Sequence, residues 1–102
     1  MAEADPVIRQ LREQLSDVDR SIVDAINARL KLVAQLKRYK ESRGIGFVDP
    51  DREQWMFQYL ARANRGPLTR EGLHEIYAEL LDLTKREVAR RDEGAGAPQA
   101  EP

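Results

Sequence analysis

The residues best suited to chemistry are cations on a helical face that should be apolar. From Ile8 the chain repeats hydrophobic residues at steps of three and four: Ile8, Leu11, Leu15, Val18, Ile22 and Ala25, then Arg29, then Leu32, Leu36 and Tyr39. That spacing is the stripe of an amphipathic helix, and a guanidinium interrupts its centre. A permanent charge on a buried face costs several kcal/mol unless an anion pairs with it. Either an acidic side chain of a later helix, such as Asp82 or Glu87, or an acidic ligand is therefore expected at Arg29. Lys40 follows Arg29 by three turns plus about 20°, so the two share one face. Arg12 lies about 25 Å away along the axis and rotated by about 100°. It reaches the same pocket only if an antiparallel partner helix carries it there. Arg52 and Glu53 fall in the first turn of a second helix, where the N-terminus itself favours anions. Arg12 of a second chain, Arg29, Lys40 and Arg52 together would form a cationic pocket suited to a small dianion. The plainer reading is that long helices carry solvated charges, and Arg12 or Arg52 taken alone is most simply surface.

These residues need helices to hold them. Asp5-Pro6 is an acidic N-cap followed by proline at the first helical position, and it opens a first helix that runs to Ser42 or Arg43, stopped by Gly44 and Gly46. Such a helix spans about 55 Å at 1.5 Å per residue, against a radius of gyration of about 13 Å for a compact chain of this size. It is expected to protrude and to be covered by a second copy of itself. Asp49-Pro50 repeats the start signature and opens a second helix over Pro50–Ala63, with Trp55, Met56, Tyr59, Leu60 and Ala63 at helical spacing, ended by Asn64-Arg65-Gly66-Pro67. Thr69 caps a third helix that reaches Arg90, with apolar surface from Leu73, Ile76, Tyr77, Leu80, Leu81, Leu83 and Val88. Trp55, Tyr59 and Tyr77 read as core rather than as a stacking platform. His74 reads as an exposed or satisfied helix position, and Thr84 as able to bond back to its own helix. Residues 6–92 make the domain; 93–102, rich in Gly, Ala and Pro, are expected to be a disordered tail.

The 102 residues allow one small domain, 41% hydrophobic and 34% charged with few aromatics, which is the profile of an all-α protein. A net charge of −1 argues against a protein that coats nucleic acid or an anionic membrane. With no cysteine and one histidine, neither a disulfide nor a thiolate site nor a His/Cys metal cluster is expected. No run of about eighteen apolar residues occurs, and no basic-then-apolar leader, from which a cytoplasmic location is expected.

The ordered set of pieces resembles the all-helical (AroQ-class) chorismate mutases. It comprises Leu11-Arg12 through Leu15, Val18-Asp19 and Ile22, then Arg29 and Lys40 on the same helix, then Gly46-Phe47-Val48-Asp49-Pro50-Asp51-Arg52-Glu53. Asn64-Arg65-Gly66-Pro67-Leu68 and Ile76-Tyr77-Ala78-Glu79-Leu80-Leu81 extend the resemblance, which covers Pro6 to Arg90. It implies three helices per chain in an intertwined homodimer with two sites, each built from both chains. It implies conversion of chorismate, a small dicarboxylate, to prephenate without metal, cofactor or covalent intermediate, with an aromatic-pathway enzyme as a candidate partner. By the same resemblance, Arg12 of the neighbouring chain and Arg29 grip the two carboxylates, and Lys40 donates to the ether oxygen and a carboxylate. Asp49 and Glu53 hold the ring hydroxyl, Arg52 completes the polar wall, and Thr84 replaces a family serine near the ring carboxylate.

One departure matters. A turn after Thr84 the family usually carries Gln or Glu as a second donor to the ether oxygen, and this chain has Val88, while Lys85 stands where the family often has an apolar pocket residue. A lost transition-state hydrogen bond costs about 10²–10³ in turnover. Glu87 or Lys85 would compensate only if the third helix were slightly rotated, which the spacing from Glu53 to Tyr77 gives no reason to expect, so the resemblance predicts a slow mutase that Val88→Gln would speed up. The alternatives are a non-catalytic regulatory module that binds chorismate, prephenate or an aromatic amino acid, and a related lyase that releases pyruvate from isochorismate.

Overall fold

The computed structural model describes residues 5–95, with side chains described to residue 91. Three helices follow one another, α1 Pro6–Ser42, α2 Pro50–Ala63 and α3 Arg70–Ala95, with no strand among the described residues. The protein is all-α, as its composition and periodicity predict. Two of the helices begin and end where the sequence punctuates them. The third runs past Arg90 to Ala95, so Glu93, Gly94 and Ala95 are helical. The glycine at 94 costs only about 1 kcal/mol in a helix, and no proline intervenes before Pro98. The rest of the expected tail, 96–102, lies outside the described residues.

Each start is capped by its own side chain. One carboxylate oxygen of Asp5 accepts from the backbone N–H of Val7 at 2.9 Å and of Ile8 at 3.4 Å. Asp49 accepts from Arg52 N–H at 3.1 Å, and the Thr69 hydroxyl oxygen accepts from Gly72 N–H at 3.0 Å. These are the donors that a helix start leaves without partners. At the end of α1, Gly44 takes φ +69°, a left-handed turn that a side chain would resist. Between α2 and α3, the Asn64 side chain donates to Leu68 O at 2.8 Å and accepts from Gly66 N–H at 3.2 Å, which closes the turn.

The chain falls into two compact units, residues 1–32 and 33–102. In the first, which is α1 as far as Leu32, no described residue is buried. Leu11, Leu15 and Leu32 are 54%, 62% and 64% exposed, so the apolar stripe lies open among the described residues. The second unit holds the whole core of the described residues: Ala34, Leu73, Thr84 and Val88. Here α2 and α3 pack on one another. Leu73, Thr84 and Val88 of α3 are buried, and Tyr77, Leu80, Leu81 and Lys85 are among its half-buried positions; those of α2 are Glu53, Met56, Phe57, Leu60 and Ala61. The inner face of α2 thus differs from the sequence expectation. Trp55 and Tyr59 are exposed and stack on each other, centroids 5.1 Å apart, while Phe57 and Ala61 turn inward. Tyr77 is half-buried, as expected.

The Thr69 cap is a local test of this unit. Thr69→Ala should lower the unfolding free energy by about 0.5–2 kcal/mol, read from the urea midpoint by circular dichroism. An unchanged midpoint would mean that α3 starts without help from this hydroxyl.

Candidate active site

The end of α1 and the start of α2 are tied together by one lysine. The Lys40 carbonyl accepts from the N–H groups of Arg43 at 3.1 Å and Ile45 at 2.8 Å. Its half-buried ammonium donates to Phe47 O at 3.3 Å. Lys37 stands 5.8 Å over the Phe47 ring and pairs with Glu41 at 3.6 Å. Two residues beyond Phe47, Asp49 caps α2, and its carbonyl accepts from Glu53 N–H at 3.1 Å. The Glu53 carboxylate reaches across to α3, where Lys85 Nζ lies 3.3 Å from Oε2. The Arg52 guanidinium lies 4.0 Å from the Trp55 ring centroid, and so stacks over the exposed aromatic pair.

Hydrogen bonds join Lys40 to Phe47 and Asp49 to Glu53, an ion pair joins Glu53 to Lys85, and two residues of chain connect Phe47 to Asp49. This run puts ammonium donors and carboxylate acceptors around the N-terminus of one helix, whose own dipole favours negative charge. Such a set can bind an anion and accept from a hydroxyl. Chemically, it can stabilise charge that develops on an oxygen without itself reacting. Among the described residues, no buried side-chain nitrogen or oxygen lacks a partner, and no group of three His, Cys, Asp or Glu could hold a metal ion. None of the described helices is long and apolar enough to cross a membrane.

Of the site residues expected from the sequence, Lys40, Asp49 and Glu53 fall along this run, while the Arg52 side chain lies over Trp55. Arg12 and Arg29 belong to the other unit, Arg12 exposed and Arg29 half-buried, and neither is without a partner. Glu87, a candidate partner for Arg29, pairs with Arg90 one turn on. Thr84 is 4% exposed, and its hydroxyl donates to Leu80 O at 2.7 Å, the back-bond its position on a helix allows.

Val88 departs from expectation. Placed by resemblance on the ligand wall, it is 1% exposed and is the one fully buried side chain among the described residues. A β-branched apolar residue fills its space with its neighbours and has no polar atom to leave facing a ligand. Lys85 is the residue whose position the sequence reading undervalued. It follows Leu81 by four on the inner side of α3, a cation at apolar spacing, the same signal that singled out Arg29. His74 is exposed and stacks on Phe57 with centroids 4.5 Å apart, at a groove of ≈ 400 Å³ that Glu53 and Arg70 also line.

Comparison with known proteins gives a consistent result. The family described as chorismate mutase type II matches residues 11–88. A bifunctional chorismate mutase/prephenate dehydratase of Stutzerimonas stutzeri is 28% identical over 86 residues, and one of Aquifex aeolicus 27% over 78, covering 79% and 72% of this chain. The chain spans only 23% and 22% of those relatives' lengths. Among solved structures, chorismate mutase (form II) of Thermus thermophilus superposes with a TM-score of 0.77 at 29% identity, covering 81% of this chain and 94% of that one.

The burial of Val88 reverses the expectation for its substitution. Val88→Gln should put an amide into a fully buried position, at a cost of about 1–3 kcal/mol, and should leave turnover unimproved. A thermal melt beside a rate assay checks both. Faster turnover at unchanged stability would mean that this position opens to ligand after all.

Proposed function

Because this chain belongs to the type II chorismate mutase family, we propose that it isomerises chorismate to prephenate in the biosynthesis of phenylalanine and tyrosine. The rearrangement is pericyclic: one carbon–oxygen bond breaks as a carbon–carbon bond forms within a single molecule. It needs the substrate held in a folded, near-attack shape and positive charge fixed where the ether oxygen becomes negative. The observation that carries the reading is Lys40, a half-buried ammonium held 3.3 Å from Phe47 O in the segment that leads to Asp49 and Glu53. Its role is to donate to the ether oxygen and a carboxylate. Asp49 and Glu53 accept from the ring hydroxyl, Arg52 closes the polar wall, and Thr84 lies behind the ring carboxylate. Arg29 and, from a second copy, Arg12 bind the carboxylates.

The second copy is part of the proposal. Leucine, isoleucine and valine side chains left in water forgo about 1.5–3 kcal/mol each, and the α1 stripe exposes Leu11, Leu15, Val18, Ile22 and Leu32. A homodimer pairing these stripes is the simplest cover and gives each site residues from both chains. A cytoplasmic location and cooperation with another enzyme of the aromatic pathway belong to the same proposal. A second reading, a regulatory module that binds chorismate or an aromatic amino acid without turning it over, is favoured by Val88, which offers no donor.

Loss of chorismate absorbance on adding the purified protein, with prephenate formed and no pyruvate released, separates these readings. Prephenate supports the mutase, pyruvate a lyase, and saturable binding without turnover the regulator. Sedimentation at micromolar concentration should give a dimer; a stable folded monomer would overturn the shared site. Arg29→Ala should abolish chorismate binding while preserving helicity, whereas binding as tight as wild type would make Arg29 a structural residue.

A further inference from the structure

The Glu53–Lys85 pair joins α2 to α3 at 3.3 Å with its side chains 31% and 39% exposed. An ion pair that open to water contributes at most about 1 kcal/mol. As a clamp between two helices it is weak, and an apolar residue continuing from Leu81 would hold α3 to α2 better. What the pair does achieve is to fix where an ammonium sits. Lys85 precedes Val88 by three, so both lie on the same side of α3, one turn apart. Val88 is buried and has no donor; Lys85 has three N–H donors, of which contact with one oxygen of Glu53 engages one. The remaining donors stand beside the same carboxylate that the proposed reaction uses to accept from the ring hydroxyl.

We propose that Lys85 is a further catalytic residue: its ammonium, held by Glu53, donates to the chorismate ether oxygen as the carbon–oxygen bond breaks. The inference rests on the mutase reading above. No proton changes hands: the electron pair of the breaking bond stays within the pericyclic array, and the lysine stabilises the partial negative charge on oxygen before the enolpyruvyl carbonyl forms. Lys40 and Lys85 then approach that oxygen from different helices, and the donor missing at Val88 is supplied one turn earlier.

The test is the steady-state kinetics of chorismate consumption by full-length wild type, Lys85→Met and Lys85→Arg, with circular dichroism and a thermal melt for each. Lys85→Met should lower kcat by about 10²-fold with a much smaller change in KM, the signature of an interaction made in the transition state. Lys85→Arg should recover part of the loss. The melting temperature should barely move, because a half-exposed pair contributes at most about 1 kcal/mol. If Lys85→Met keeps kcat within about twofold of wild type, or loses activity only in proportion to lost helicity, Lys85 is a structural partner of Glu53 and the proposal falls while the mutase reading stands. Should Lys85→Met fail to fold, Lys85→Gln takes its place under the same criterion. Wild type that leaves chorismate untouched would remove the mutase reading and this role with it.

Discussion

A helix cannot bury its own apolar face, and as far as Leu32 that of α1 stays open among the described residues. Isolated helices draw little stability from propensity alone; most comes from packing an amphipathic face. Yet no described residue before Val33 is buried, and the core of the described residues lies between Ala34 and Val88. The chain therefore separates two jobs. Its second unit is stabilised from within, by α2 on α3. Its first offers a stripe of aliphatic side chains with Arg29 set among them, and the proposed second copy is the natural place for both to find cover.

Within the second unit, the groups that make local structure also make the candidate site. Asp49 caps α2 and stands among the proposed acceptors. Lys40 closes the end of α1 with its carbonyl and holds the connection with its ammonium. Glu53 occupies the inner face of α2 and meets Lys85 of α3. This economy is physically sensible, because side chains already fixed by capping and turn formation need little further ordering to receive a ligand. It also complicates substitution. Removing Asp49 would take a helix cap and a ligand group together, and only measurements of stability beside turnover separate the two losses.

The helix starts were legible because each is announced by a short-range rule: an acid or threonine at the cap, with proline next in two of the three. The end of α3 was not, because nothing between Arg90 and Ala95 stops a helix decisively. The face of α2 was misjudged by residue type: Trp55 and Tyr59 look like core, but Phe57 and Ala61 hold the inner positions, and periodicity over so short a helix barely distinguishes the two registers. Lys40, Asp49, Arg52 and Glu53 lie close in sequence, across one helix end and the next helix start, so local rules alone bring their backbones near one another. The burial of Val88 was not legible, because a site inherited by resemblance says where a glutamine would point, not where a valine packs. The ion pair of Lys85 depends on how two helices meet, which no local rule contains, although its apolar spacing marked it as unusual.

Lys40 also limits how the chain can change in length. Surface connections usually accept added or deleted residues readily. Here the carbonyl of Lys40 accepts from Ile45 N–H while its ammonium donates to Phe47 O, and the left-handed Gly44 lies between them. One residue inserted between positions 40 and 47 would break the turn or carry the ammonium away from its carbonyl, and with it the approach to Asp49. The connection between α1 and α2 thus behaves as a ruler, and drift by insertion or deletion must find room elsewhere in the chain.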